Sequence, residues 1–183
     1  GGHATCAMAV AEELIAKGFD IEYVGRKYAL EGDTAVSFEY NLVHSRNIPF
    51  HVLETGRLQR HLSREFLSSL IKVPAGFLRA QRLLKKIRPS CILSFGGYVA
   101  LPVALVGAMM RIPVVTHEQT MRPGLTNRII SRFAKRLYIS WPGSDTLFAV
   151  SSSKMLLTGN PIRKSVQKVI KKLSFPDQLP LLY

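Results

Sequence analysis

Four short segments of this 183-residue chain carry side chains that could do chemistry: GGH at 1–3, SFGGY at 94–98, THEQT at 116–120 and GNPIR at 159–163. His3 follows a diglycine at the head of a helical pattern. The positive end of a helix opposes an imidazolium, and a neutral imidazole is what a general base requires. The same position also suits a histidine serving only as a polar cap. Gly96-Gly97, with Tyr98 behind them, stand where an apolar run gives way to a helix. Such a pair makes a tight turn, or it lets backbone N–H groups approach an anion at the helix start. Gly1-Gly2 repeat that arrangement in another unit, which strengthens the phosphate-binding reading.

His117, Glu118 and Gln119 follow a second apolar run, and Glu118 is the sole carboxylate between Glu65 and Asp145. It is open to three roles: a base, a ligand for a sugar hydroxyl, or the salt-bridge partner of Arg128. Arg163, near a helix start, suits bidentate phosphate binding. The chain has no G-x-x-x-x-G-K-[ST] loop, no Ser-His-Asp arrangement and no Asp-x-Asp or His/Cys cluster, so neither a metal nor a cofactor is expected.

These segments need a scaffold that brings them to one edge. Strands are predicted at 20–25, 50–54, 90–95, 112–117, 137–140 and 154–159. Helices are predicted over 4–18, 35–47, 64–88 (divided at Pro74), 98–111, 124–136 and 162–172. The first helix would bury Ala7, Val10, Ala11, Leu14 and Ile15. Apolar runs alternating with amphipathic stretches imply an α/β fold, a Rossmann-like doubly wound parallel sheet whose ligands sit beyond the carboxyl ends of the strands. Cys91 opens a strand and reads as a buried thiol; Cys6 shares no metal spacing with it. The chain opens without methionine, as though cut into something longer. Residues 1–166 read as one domain and 167–183 as a linker or frayed end.

The balance of 25 Lys and Arg against 12 Asp and Glu, a net charge of +13, points to an anionic partner: nucleic acid, a phospholipid surface or a phosphorylated substrate. From Arg57 to Arg88 there are nine basic residues and one acid, Glu65. Phe66, Leu67, Leu70, Ile71, Phe77 and Leu78 are interleaved at near-helical spacing, with Lys72 and Arg79 among the cations. The stretch is either a core face with a solvated basic rim or an interfacial surface dipping into lipid. No nucleic-acid module is present, and aromatics do not interleave the basic stretch, so nucleic acid is not expected as a partner. A generic dinucleotide site is disfavoured, because the first glycine turn lacks G-x-G-x-x-G.

Taken in order, GGH, SFGGYVALP, IPVVTHEQ, PGLTNRIISRFAKR and TGNPIR resemble the N-terminal half of the MurG-type bacterial N-acetylglucosaminyltransferases. The resemblance runs from Gly1 to about Val166. It implies a GT-B fold with the active site between two Rossmann-like halves. It also implies transfer of N-acetylglucosamine from UDP-N-acetylglucosamine to the 4-hydroxyl of a muramoyl sugar on a polyprenyl-diphosphate-linked peptide, at the cytoplasmic face of the bacterial membrane. On this resemblance His3 matches the proposed base, while Gly1, Gly2, Gly96, Gly97 and Tyr98 would hold acceptor diphosphate. Glu118, Gln119, Thr120 and Arg163 would line the cleft toward the nucleotide sugar, and Thr120 stands where the family usually has asparagine. Membrane contact would fall to Phe66, Leu67, Leu70, Ile71, Lys72, Phe77 and Arg79. The family's first strand and C-terminal donor domain lie outside these residues. The chain is therefore expected to be an acceptor half, fragment or split subunit, that needs a donor domain in cis or in trans. The rival expectation is a non-catalytic subunit that recruits a partner to the membrane.

Overall fold

The computed structural model describes residues 2–28, 35–54 and 64–167, with backbone alone at 64–73. The elements are α1 (Gly2–Ala16), β1 (Tyr23–Gly25), α2 (Phe38–His44), β2 (Phe50–Val52), α3 (Arg64–Ile87), β3 (Ile92–Ser94), α4 (Ala100–Met109), β4 (Val114–Glu118), α5 (Leu125–Phe133), β5 (Arg136–Ile139) and β6 (Met155–Leu157). Two 3₁₀ turns, Ser144–Leu147 and Ser152–Lys154, link β5 to β6. All strand pairing is parallel: β1 with β2, and β3-β4-β5-β6 as a four-stranded sheet. Ile92 is aligned with Val114, Val115 with Arg136 and Leu137 with Met155, so the carboxyl ends of these strands open on one edge.

Helix ends follow local chemistry. After α1 the chain turns left-handed at Gly18 (φ 85°), with Phe19 N–H bonded to Leu14 and Gly18 N–H to Ile15. This paired closure favours glycine because a side chain is strained there. At the start of α2 the Ser37 side chain accepts from Tyr40 N–H.

The helices cover the sheets in separate apolar clusters. Met8 and Ala11 of α1 pack with Val43 and Ile48; Ala104, Val114, Ile130 and Ala134 join α4, β4 and α5. The buried side of α1 is Ala4, Met8 and Ala11, at i, i+4 and i+7. It is thus rotated from the predicted face: Ala11 is common to both, Ile15 is exposed, and Met8 joins Val43 and Ile48 in the core.

Other expectations also change. Pro74 lies inside a continuous α3 rather than dividing it. The helix is sustained by Ala80 and Leu84, which pack with Leu53, Val103 and Val106. A proline removes one backbone bond, whereas a buried apolar face stabilises several turns. Phe77 belongs to that same face, packing against the cluster, so it does not point outward as the membrane reading required. Leu78 is the exposed apolar neighbour, and Arg79 is held by the Glu54 carbonyl at 3.0 Å. Phe66, Leu67, Leu70, Ile71 and Lys72 lie outside the described side chains, as do Gly1 and residues 168–183. Cys91 is exposed rather than buried, because β3 begins one residue after it.

Helix α4 approaches β3 closely only because residue 107 has no side chain: a Cβ there would overlap Ile92 Cδ1. Gly107→Ala is expected to cost about 1–3 kcal/mol in denaturant unfolding. Ile92→Val, which removes that terminal methyl, is expected to recover much of the loss in the double variant. Strict additivity of the two changes would contradict this packing.

Candidate active site

Strand β4 carries its polar residues at its carboxyl end, and they are buried there. Thr116, His117 and Glu118 are each 3% exposed or less. Such groups must find partners or impose a large cost. Glu118 Oε1 accepts from the Thr120 N–H (3.0 Å) and lies 2.7 Å from the Thr120 hydroxyl. Glu118 Oε2 accepts from Asn127 Nδ2 (2.9 Å) and Gly124 N–H (3.3 Å). The carboxylate therefore closes the β4–α5 loop on itself, and among the described residues it makes no ion pair with Arg128. Asn127 continues the network, donating to the His117 carbonyl at 3.2 Å and accepting from the Thr116 hydroxyl at 3.1 Å.

Gln119 extends from this anchored strand toward α1. Its Oε1 lies 2.7 Å from His3 Nδ1, joining the first turn of α1 to the end of β4 across 116 residues of sequence. Its Nε2 donates to the His117 carbonyl at 2.9 Å. His117 Nε2 lies 3.2 Å from the Gly159 carbonyl, which tethers the segment after β6. Burial pushes the His117 ring below its ordinary value of 6.5, while Gly159 and Glu118 pull it upward. The same post-β6 segment is held to α1 by Lys164 and Glu13 at 2.6 Å, and to the residue that follows β5 by Asn160 and Ser140 at 2.8 Å.

The glycine turn borders this cluster. Gly96 and Gly97 both have left-handed backbones (φ 86° and 84°). A Cβ on Gly96 would also meet Asn127 Nδ2 at 2.9 Å, so the turn is fitted against the buried network. The Gly96 N–H donates to Ser94 Oγ, whereas a Cβ on Gly97 would meet open space. The Tyr98 ring lies under the Arg26 guanidinium, 5.8 Å from it, bringing a cation from the end of β1 to the glycine turn. Gly2 and His3 begin α1 and are exposed. Arg163 has a buried Nε with no hydrogen-bond partner among the described residues. His3, Gln119, Glu118 and Thr120 thus form one connected group, with Gly96 joined to it through Asn127.

Sequence reasoning did not find Asn127, Ser140, Trp141, Asn160 or Arg26. Asn127 left a trace: it lies three residues before Ile130 and seven before Ala134, a polar residue on the buried stripe of α5. Ser140, Trp141 and Asn160 acquire meaning only by tertiary contact with the Glu118 and Gln119 backbones.

Parallel strands with their polar side chains gathered at one carboxyl edge define a Rossmann-like α/β domain with a ligand site at that edge. The chain belongs to glycosyltransferase family 28, whose N-terminal domain matches residues 1–139. It is 32% identical over 167 residues to the UDP-N-acetylglucosamine–N-acetylmuramyl-(pentapeptide) pyrophosphoryl-undecaprenol N-acetylglucosamine transferase of Clostridium novyi, covering 91% of this chain and 44% of that protein. The enzyme of the same name from Halothermothrix orenii is 36% identical, with 91% and 43% covered. In three dimensions the chain is similar to crystalline MurG of Acinetobacter baumannii, with a TM-score of 0.67 and 29% identity over 91% of this chain and 44% of that one. A UDP-bound S. aureus MnaA structure shares the fold at a TM-score of 0.51 and 10% identity, over 78% of this chain and 38% of that one. The chain thus spans less than half the length of the curated relatives it matches.

Two outcomes follow from the buried network. In Glu118→Gln, either orientation of the new amide turns an NH₂ toward a backbone N–H that already donates there. The expected loss is about 1–3 kcal/mol, read by denaturant unfolding. For His117 the folded value lies below the unfolded one, so between the two the unfolded chain binds the extra proton. Stability is then full above the unfolded value and falls as pH drops through the interval beneath 6.5. His117→Gln is expected to remove that part of the slope; an unchanged slope would mean that other groups carry it.

Proposed function

We propose that this chain is the acceptor-binding, membrane-associated half of an inverting N-acetylglucosaminyltransferase. The transfer runs from UDP-N-acetylglucosamine to the 4-hydroxyl of the muramoyl sugar on a polyprenyl-diphosphate-linked peptide, a step of peptidoglycan synthesis. The observation that carries this reading is the 2.7 Å contact between exposed His3 and anchored Gln119, beside the Gly96-Gly97 turn. His3 takes the hydroxyl proton as the acceptor oxygen bonds to the anomeric carbon and UDP departs. The first turn of α1, with Gly1 and Gly2, receives acceptor diphosphate together with Gly97, Tyr98 and Arg26. Gly96 shapes that turn. Thr120 and Arg163 face the donor side, and diphosphate is a fitting partner for the unpaired Arg163 Nε. Glu118 holds these groups in place through its internal bonds rather than by touching substrate.

The basic α3 region, with Phe66, Leu67, Leu70, Ile71, Lys72, Leu78 and Arg79, docks on anionic lipid at the cytoplasmic face of the bacterial membrane. Each cation near such a surface contributes roughly 1 kcal/mol. No described helix is long and apolar enough to cross a membrane, which is compatible with peripheral attachment. A donor domain, in cis or in trans, completes the catalytic cleft.

The test is N-acetylglucosamine transfer to a short-chain lipid acceptor, with and without a family C-terminal domain supplied separately. Transfer is expected only in the mixture, and His3→Ala is expected to reduce it about 10²–10⁴-fold while acceptor binding persists. Full transfer by the His3 variant would remove the histidine from the chemistry. Acceptor and membrane binding without transfer in the mixture would favour the recruitment subunit.

A further inference from the structure

We propose that Gln119 is a positioning residue that sets the tautomer of His3, holding its proton on Nδ1 and its basic lone pair on Nε2. The catalytic importance of this device rests on His3 being the general base; the tautomer assignment itself does not.

The argument starts from groups that cannot change roles. The His117 backbone carbonyl only accepts, and it lies 2.9 Å from Gln119 Nε2. Turning the amide over would press Oε1 against that carbonyl, two acceptors with no proton between them. The backbone therefore determines which end of the amide faces His3. That end is Oε1, which also only accepts, at 2.7 Å from His3 Nδ1. The hydrogen between them must belong to Nδ1, and in a neutral ring this leaves Nε2 unprotonated.

The neighbouring groups fit this assignment. The second proton on Gln119 Nε2 faces His117 Nδ1 at 3.3 Å, which must then accept. His117 accordingly carries its proton on Nε2, which faces the Gly159 carbonyl, an obligatory acceptor, at 3.2 Å. Every group from His3 to Gly159 has one consistent role. Gln119 is only 8% exposed, and its backbone carbonyl accepts from Trp141 Nε1 at 3.0 Å and Asn160 Nδ2 at 3.4 Å, so it is held at both ends. Histidine free in water prefers the opposite tautomer, with the proton on Nε2, where it cannot accept a hydroxyl proton. Gln119 thus converts an exposed ring into one whose outward nitrogen is the base, the role that an orienting third group plays beside other catalytic histidines.

The direct test is long-range proton–nitrogen correlation NMR on the chain with ¹⁵N-labelled histidine, at a pH where the rings are neutral. His3 Nδ1 is expected to give a protonated, pyrrole-type signal and Nε2 a pyridine-type signal. Gln119→Ala is expected to shift His3 toward the Nε2-protonated form. A pyridine-type Nδ1 in the unaltered chain overturns the proposal without reference to how any variant folds, as does a His3 pattern unchanged in folded Gln119→Ala. If the pattern holds but His3→Ala transfers sugar normally with a donor domain, the general-base reading fails and the tautomer assignment stands.

Discussion

The structure depends on satisfying one buried carboxylate. Glu118 is 1% exposed, and a group of that kind inside an α/β sheet is tolerated only when both oxygens are occupied by donors. Here those donors include two backbone N–H groups and the Asn127 amide, all drawn from the ten residues that follow β4. The carboxylate therefore serves as the folding instruction for the β4–α5 loop. It also keeps Gln119, the next residue, at a constant height above the sheet.

From that point order spreads in three directions. Through Asn127 it reaches the Gly96 turn, where the absence of a Cβ lets the segment after β3 sit against the Asn127 side chain. Through the Glu118 carbonyl it reaches Ser140, just past β5, and from there Asn160. Through Gln119 it reaches His3 at the head of α1. The candidate catalytic group stands on a short, exposed helix terminus, yet its ring is referenced to the centre of the sheet. Such support from buried second partners separates a positioned site from a set of suitable side chains on a surface. The region proposed to meet the membrane lies on a different element, α3.

Much of the fold was legible because local chemistry and tertiary demand agree. The runs at 90–95 and 112–117 enclose or overlap β3 and β4, since an apolar stretch that turns polar at its end is how a buried parallel strand reaches a ligand edge. The MurG-type resemblance was visible in the ordered motifs, and the structure joins two of their residues, His3 and Gln119. Where local signals and packing disagree, packing prevails: α3 runs through Pro74, and Phe77 turns inward with Ala80 and Leu84. The role of Glu118 was not legible, because an isolated acid in a basic stretch suggests a distant partner. Two of its donors are backbone N–H groups, which leave no trace in residue type, and the third is the Asn127 amide on α5. Ser140 and Asn160 were silent for a similar reason, since their bonds cross between strands.

The central claim is that the carboxyl edge carrying His3, Gly97 and Gln119 receives the acceptor. The most direct measurement is a backbone NMR titration of the chain with a short-chain polyprenyl-diphosphate muramoyl acceptor. The account expects perturbations centred on residues 3, 26, 97–98 and 119, with the buried network at Thr116 and Asn127 little changed. Perturbations confined instead to the opposite edge, where Leu84, Lys85, Arg88, Met110 and Ile112 surround a groove, would contradict it.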